Sequence, residues 1–401
     1  MSSASIEELK HAVCAEVNRI APKLIDASHQ IHANPELNFE EHFAHDTLTG
    51  LLAEAGLAPQ RHAYDIATAF ESTVGDEGFD VAVLCEYDAL PGIGHACGHN
   101  IIATAGLGAG LAAATVAKLA GGRLRIMGTP AEEGGGGKIE MARNGAFQDL
   151  HAAMMVHPAD ADLIRMDAIA IQQGDVTFAG KAAHAAAAPQ EGRNALDAAV
   201  LGYMNVAALR QHILPTERIH GIFLKGGDKA NIVPSEAVMQ WMVRSPTIAS
   251  LQPLKERVLA CFDGSATACG CSVSTEWDNV TYADMIDNGP MVESYVANAL
   301  ALGRTVQDPR TVGKNVVGST DMGNISYLVP SIHPMIKVAP TGVPIHTLDF
   351  ATWAASPDGD KAVLDGAKAM AMTIVDLWCQ QGLMDSVQGS FANRPSGVEV
   401  L

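Results

Sequence analysis

Two histidines, one thiol and two carboxylates fall within the stretch Glu86-Tyr-Asp-Ala-Leu-Pro-Gly-Ile-Gly-His-Ala-Cys-Gly-His-Asn100. Cys97 and His99 stand just ahead of an expected helix starting near Ile101, where a helix N-terminus and a bound metal ion both favour a thiolate. The spacing matches no structural zinc finger, so a Gly-rich turn with a free thiol is the competing reading of this segment alone. A second cluster, Glu132-Glu133, precedes Gly134-Gly-Gly-Gly137. Adjacent buried carboxylates repel, so one must be protonated or offset by a cation. That suits one metal ligand beside one general base, the pairing that metal-assisted hydrolysis needs. Two solvated glutamates opening a loop are the plainer alternative. Gly137-Lys138 is followed by Ile139, where a phosphate loop requires Ser or Thr.

His157 follows an apolar run over 152–156, and His346 lies in Pro344-Ile-His-Thr-Leu-Asp349. A lone strand-end histidine is more often structural than a ligand. The stronger argument is convergence, because Cys97, His99, Glu133 and His157 all fall at expected strand ends of one sheet. A thiolate, two or three imidazoles and a carboxylate suit Zn or Mn, with too little carboxylate for Mg or Ca.

The elements that must position these residues are short apolar runs ending in polar ones: 80–85 into Glu86 and Asp88, 123–127 into Glu132 and Glu133, and 152–156 into His157. Each reads as a buried strand. Helical stretches over 101–119 and 138–144 separate them, which predicts an α/β fold with a parallel or mixed sheet and ligands at the strands' carboxyl ends. From about Ala170 the pattern changes to strand 174–180, helix 195–211, strands 219–224 and 237–243, helix 251–262 and a strand near 271–276. That is an α+β insertion of ordinary domain size. The α/β pattern returns after Asp284. The expected division is therefore a catalytic domain over 1–171 and 284–401, interrupted by an inserted domain over 172–283. Gly108-Ala-Gly-Leu-Ala-Ala113 fits a dinucleotide fingerprint but sits inside a helical stretch, which argues against nicotinamide binding and a dehydrogenase.

A chain of 401 residues exceeds what one hydrophobic core supports, which agrees with two domains. Asp+Glu at 45 against Lys+Arg at 26 give a net charge of -19, which repels nucleic acid and anionic lipid. Seven cysteines, an odd number, with no signal peptide ahead of them, fit a reducing cytoplasm better than a disulfide framework. The N-terminal stretch reads as an amphipathic helix. The longest uncharged stretch, 101–117, is too short to span a bilayer comfortably, so no membrane span is expected.

Taken together these residues resemble the aminoacylase and carboxypeptidase superfamily of co-catalytic metallopeptidases, and within it the amidohydrolase branch. Glu86-Tyr-Asp-Ala-Leu-Pro with His95-Ala-Cys-Gly-His-Asn100 is most similar to the p-aminobenzoyl-glutamate hydrolases and the acylamino-acid or dipeptide hydrolases. The likeness runs from His29-Gln-Ile-His-Ala-Asn-Pro-Glu-Leu37 through His346. It implies a mixed sheet flanked by helices, a phosphorylase/hydrolase-like catalytic domain, with an inserted ferredoxin-like lid that is also the dimerisation domain. It implies two divalent ions, Zn or Mn with Co as an alternative. Cys97 would be the shared thiolate; His99, Glu133, His157 and His346 would complete the ligand set. Glu132 would be the general base that activates water, and Asp88 would orient a ligand histidine. Gly180-Lys-Ala-Ala-His184 matches the lid motif whose histidine polarises the scissile carbonyl, usually in the partner subunit. Asn231, in Gly227-Asp-Lys-Ala-Asn-Ile-Val-Pro234, matches a lid asparagine that holds substrate.

Two departures stand out. Glu86 occupies a position where the wider superfamily has a metal-binding histidine, so it is not counted as a ligand, and Asn100 stands where many relatives have aspartate. The implied activity is hydrolysis of the amide bond of an N-acyl amino acid or a p-aminobenzoyl-glutamate-type conjugate, with a dipeptidase or carboxypeptidase as the alternative. A catalytically silent metal-binding protein of the same fold is the reading from another class. Among the basic residues Arg193, in Glu191-Gly-Arg-Asn194, is best placed to hold a substrate carboxylate, ahead of Arg244, Lys225 and Lys229.

Overall fold

The computed structural model describes residues 4–311 and 317–401. The first three residues of the expected N-terminal helix lie outside them. Helix α1 (Ile6–Ala33) starts at a capping box in which Ser5 Oγ accepts from the Glu8 N–H and the Glu8 carboxylate accepts from the Ser5 N–H. Its apolar positions Leu9, Val13, Val17, Ile20, Leu24 and Ile31 recur every three to four residues or multiples of that, so one stripe is buried. Helix α2 (His42–Glu54) follows, then strands β1 (Gln60–Arg61), β2 (Phe70–Val74) and β3 (Asp80–Cys85). Strand β3 is buried along its whole length, as a central strand covered on both faces must be.

Helix α3 (His99–Ala114) is buried at every position before its last. Its glycines serve packing: a Cβ on Gly108 would meet Leu24 Cδ1 at 2.7 Å and one on Gly110 would meet Ile126 Cγ1 at 2.5 Å. The dinucleotide-like pattern therefore lies within a helix packed on its neighbours. The expected helix over 101–119 is interrupted at Thr115, whose hydroxyl turns back to the Ala112 carbonyl at 2.7 Å. Strand β4 (Arg123–Gly128), helix α4 (Gly137–Arg143) and strand β5 (Ala152–Met154) come next. The expected strand over 152–156 is shorter than predicted, and a second strand follows it. Strand β5 ends at Met154 and β6 (His157–Ala159) begins at the histidine, where Pro158 has no N–H for a continuous ladder.

Strand β7 (Ala170–Ala179), helix α5 (Ala195–Leu209), strands β8 (Arg218–Lys225) and β9 (Glu236–Ser245), helix α6 (Ile248–Cys269) and strand β10 (Ser272–Trp277) then form a β-α-β-β-α-β run. They build one antiparallel sheet in the order β10-β7-β9-β8. Strand β9 buries alternate residues, including Met239, Trp241 and Val243, on the face that α5 and α6 cover. Helix α6 extends past the expected 251–262 at both ends, starting at a capping box of Thr247 and Ser250 and stopping at Gly270 in the left-handed conformation.

The chain then returns through α7 (Gly289–Ala301), α8 (Met322–Leu328), β11 (Ser331–Ile332), β12 (Met335–Lys337), α9 (Leu348–Ala354) and α10 (Pro357–Cys379). The large sheet is mixed, in the order β1-β2-β4-β3-β5-β11, with β3, β4, β5 and β11 parallel and β1 and β2 antiparallel at one edge. Strands β6 and β12 pair in parallel beside it. Helices α1, α3 and α10 pack together over the sheet. The protein is thus a mixed α/β fold. It divides into two compact units, one running to Asp167 and resuming over Met285–Gly397, the other spanning Ala168–Asp284. Among the described residues no helix is long and apolar enough to cross a membrane.

Candidate active site and metal centre

All the strand-end candidates belong to the larger unit. Cys97 and His99 flank Gly98, which takes φ 81; a Cβ there would meet Pro158 Cγ at 2.9 Å, so only glycine fits the turn between thiol and imidazole. His99 opens α3 and is fully buried. Its Nδ1–H donates to Asp88 Oδ1 at 3.1 Å, which makes Nε2 the ring nitrogen turned toward the other candidate ligands. That Nε2 is buried without a hydrogen-bond partner. His157 Nδ1–H donates to the Pro158 carbonyl at 2.8 Å, so its Nε2 lone pair also faces inward, 3.4 Å from Cys97 Sγ. Glu133 Oε1 lies 3.1 Å from His346 Nε2 and 3.9 Å from His99 Nε2.

These contacts sort into two donor groups, Cys97-His99-His157 and Cys97-Glu133-His346, each with its ligand atoms within 4.8 Å of one another. Cys97 belongs to both. In a tetrahedral site with bonds of about 2.0–2.3 Å, neighbouring ligand atoms stand roughly 3.4–3.8 Å apart, close to the spacings seen here. Burial, and next the Glu133 charge, push the Cys97 thiol well above its ordinary range, so a thiolate at this place needs a cation beside it. Burial, followed by the neighbouring His99, holds His157 down to about 4, in the neutral form that ligation requires. For His99 burial acts downward but is outweighed by Asp88 and Cys97, which raise it well above the usual imidazole range, so Nε2 offers a lone pair only when a metal ion takes the place of its proton. The donor set fits two divalent ions sharing one thiolate.

Glu132 is buried, with 8% of its surface exposed, and burial followed by the charges of Glu86, Glu133 and Asp321 raises its carboxyl well above the ordinary range. Asp88 uses its second oxygen to accept the Glu133 N–H at 2.9 Å. The opposing effects on Asp88 are burial, which raises it, and His99 with backbone N–H groups, which bring it below the usual carboxylate range. Two residues at the site hold left-handed backbone without being glycine: Ala131 at φ 58 and His346 at φ 64. Such strain clusters where surrounding structure fixes a functional side chain. Asn100, the departure from aspartate, donates to Ser28 Oγ and the Ala354 carbonyl and so ties α3 to α1 and α9.

Sequence reasoning missed Lys138 and Asp321. Lys138 is wholly buried, with Nζ 2.6 Å from Glu86 Oε2 and 2.7 Å from Asp321 Oδ1. The other oxygen of Glu86 is 3.5 Å from His99 Nε2, and Glu86, His99 and Glu132 form a third group of donors within 4.8 Å. His333 was missed too; it is buried, with its ring centroid 5.4 Å from that of His157. In the sequence Lys138 stands out only beside the phosphate-loop pattern, which says nothing about a buried counter-charge.

His184, Asn231 and Arg193 lie in the smaller unit, and all three are exposed. His184 Nδ1 accepts from the N–H groups of Ala186 and Ala187 at 3.3 and 3.2 Å, which makes Nε2–H the outward donor. Asn231 is beside it, its carbonyl accepting the Ala185 N–H at 3.0 Å. Arg193 runs instead toward Gly270, where a Cβ would meet Arg193 Cδ at 3.0 Å.

The family model described as Peptidase family M20/M25/M40 matches residues 82–374. The chain is 40% identical to the Xaa-Arg dipeptidase of Mus musculus over 97% of this chain and 94% of that protein. It is 29% identical to one of the p-aminobenzoyl-glutamate hydrolase polypeptides of Escherichia coli (strain K12), over 90% of each. In fold it is similar to a dinuclear metal binding peptidase of the M20 family from Bacillus subtilis, with a TM-score of 0.70, 17% identity, and coverage of 90% of this chain and 99% of that one.

Proposed function

The chain belongs to peptidase family M20/M25/M40 and is a metal-dependent hydrolase of amides, and from that premise we propose that it cleaves the amide bond preceding a C-terminal amino acid in a dipeptide or N-acyl amino acid. The observation that carries this reading is Cys97, the donor common to two ligand groups, with Glu132 next to Glu133. Cys97, His99 and His157 would hold one ion, and Cys97, Glu133 and His346 the other, Zn or Mn being the best matches to a thiolate-imidazole-carboxylate set. When bound, the ions would acidify water and polarise the amide carbonyl.

The protein's own residues do the rest. Glu132 takes the proton of the attacking water and gives it to the leaving amine; its buried position keeps it basic enough for both steps. Asp88 keeps the His99 Nε2 lone pair facing inward. His184 presents an N–H donor suited to an amide oxygen as it gains charge, a contact typically worth about 100- to 1000-fold in rate. Asn231 beside it would hold substrate, and Arg193 would serve only by leaving the Gly270 turn. The inserted region over 172–283, between catalytic parts 1–171 and 284–401, is read as a ferredoxin-like lid. Its edge strand β8 exposes Ile222, Phe223 and Leu224, which supports pairing with a second copy in a homodimer.

Within that activity, dipeptides of the Xaa-Arg type lead, because the relative so named is 40% identical over nearly the whole chain. The net charge of -19 also favours a cationic side chain over an anionic one. The p-aminobenzoyl-glutamate reading rests on the more distant relative. The deciding experiment supplies Mn, Zn or Co to metal-free protein and assays Xaa-Arg and Xaa-Lys dipeptides, N-acyl amino acids and p-aminobenzoyl-glutamate. Dipeptides with a basic C-terminal residue should be cleaved fastest. Cleavage of p-aminobenzoyl-glutamate alone would reverse the order, and no hydrolysis by the metal-loaded protein would leave the silent metal-binding reading.

A further inference from the structure

The turn that carries Glu132 and Glu133 is held from outside by the segment ahead of α2. Ala131, which precedes the two glutamates, has φ 58, and Phe39 has φ 61. Both are left-handed, both carry a Cβ that disfavours that backbone, and both give their N–H to the same atom, Glu41 Oε1, each at 2.9 Å. The other Glu41 oxygen accepts the Thr68 hydroxyl at 2.7 Å. Glu41 has no exposed surface. One side-chain carboxylate therefore satisfies three donors and clamps two strained turns that are about ninety residues apart in the chain.

Two further contacts make the clamp specific to this turn. Asn38 Nδ2 donates to the Glu133 carbonyl at 2.8 Å, while the Glu133 N–H goes to Asp88, so the backbone of the proposed ligand is gripped on both sides. The Phe39 ring stands over Gly135, where a Cβ would meet Phe39 Cε2 at 2.9 Å. Glu41 also sits at the N-cap position of α2 yet makes no capping bond to that helix. Glu36 does this from seven residues back, accepting the N–H groups of Phe43 and Ala44 at 2.9 and 3.1 Å. The carboxylate best placed to cap the helix is thereby released to the Ala131 turn.

We propose that Glu41 is a positioning residue of the active site: by holding the left-handed Ala131 turn it sets the direction of Glu132 toward the water and of Glu133 toward its metal ion. The inference rests on the roles proposed for those two glutamates. A carboxylate is not itself required, because a glutamine carbonyl can accept both N–H groups while its amide donates to the Thr68 oxygen. An aliphatic side chain leaves the buried Ala131 N–H and the part-buried Phe39 N–H without an acceptor.

The test uses the full-length, metal-loaded protein and compares Glu41→Ala, Glu41→Gln, Asn38→Ala and the double change Glu41→Ala with Ala131→Gly. Each is read by kcat and KM, by Co(II) affinity and by the cobalt absorption spectrum. Glu41→Ala should lower kcat about 100-fold with KM changed less than about twofold, the pattern of a misplaced reacting group. It should also weaken one of the two cobalt sites and alter its spectrum. Glu41→Gln should stay within about threefold of the parent, since the accepting geometry survives. Adding Ala131→Gly should recover about tenfold of the lost kcat, because glycine holds φ 58 without the clamp. Asn38→Ala, which removes a single hydrogen bond from a half-buried side chain, should show the same kcat-selective loss at about tenfold and serves if Glu41→Ala does not fold. Wild-type kcat and cobalt affinity in Glu41→Ala, or in Asn38→Ala where that variant stands in for it, would overturn the proposal, as would equal impairment of the Ala and Gln variants. A parent protein that binds two cobalt ions but hydrolyses no amide overturns the activity alone, and cobalt affinity then decides the role of Glu41.

Discussion

Asp88 Oδ1 accepts the His99 Nδ1–H at 3.1 Å while its other oxygen accepts the backbone N–H of Glu133, so one carboxylate orients two proposed ligands of different ions. Asp88→Asn keeps the size but can present N–H where a carboxylate oxygen must accept, which turns the imidazole or frees it. Loss of such an outer partner typically weakens metal binding about 10- to 100-fold. Titration of the metal-free variant with Co(II) or Zn(II) should show that loss; unchanged affinity at both sites would remove Asp88 from the orienting role.

Glu132→Gln removes the proposed base and leaves every proposed ligand in place. The expected result is full metal content with turnover lowered by about 100-fold or more, the usual range for a positioned general base. Metal analysis and steady-state kinetics on one preparation check it. Near-normal turnover would transfer the role of base to another group.

The charge of Glu86 ranks next after burial among the influences that raise Glu132. Taking it away makes Glu132 easier to ionise, so in Glu86→Gln the acid limb of kcat/KM should move to lower pH. The pH profile of the variant against the parent checks both direction and sign. A limb that stays in place, or moves upward, would mean that Glu132 does not govern it.

The sequence was informative where chemistry and local pattern coincide. Cys97, His99 and Glu133 stand where a short apolar run meets a loop or a helix start, and such ends are visible from spacing alone. His157 was legible for the same reason, although it opens a strand where the pattern predicted that it closes one. Lys138 and Asp321 were not visible, because their relationship spans 183 residues and depends on both being buried, which no periodicity near either residue announces. Glu41 was hidden differently: within Phe-Glu-Glu-His it reads as a solvated helix start, and only the fold reveals that its carboxylate is turned to Ala131. The change in element order near residue 170, where α/β alternation gives way to β-α-β-β-α-β, was legible from the spacing of the strand-like and helix-like runs.

Lys138 is the buried counter-charge to Glu86 and Asp321. Burial would lower its ammonium, but the two carboxylates outweigh that and raise it. Lys138→Met leaves two carboxylates buried without their cation, a change that typically costs about 3–5 kcal/mol. Chemical denaturation of the metal-free protein should show the loss, and adding Glu86→Gln should return part of it by removing one of the stranded charges. A Lys138→Met protein as stable as the parent would mean that these carboxylates are neutral in the folded state.

Asp287 offers a stability test at neutral pH away from the metal centre. Its Oδ1 is buried without a hydrogen-bond partner, and burial, only partly offset by Arg165, pushes its carboxyl up to about 7; Asp167 and Asp308 raise it further, and Arg310 opposes them. An unfolded aspartate ionises near about 4. Between those values the folded protein holds a proton that the unfolded chain releases, so this residue's contribution to stability is present below about pH 4 and is lost as pH rises through about 7. Asp287→Asn keeps the neutral form at every pH. The variant's melting temperature should therefore match that of the parent in acid and exceed it increasingly from about pH 5 to about pH 8, as read by calorimetry across that range. A constant difference over the same interval would show that Asp287 is ionised in the folded protein throughout, with Arg165 and Arg310 compensating for its burial.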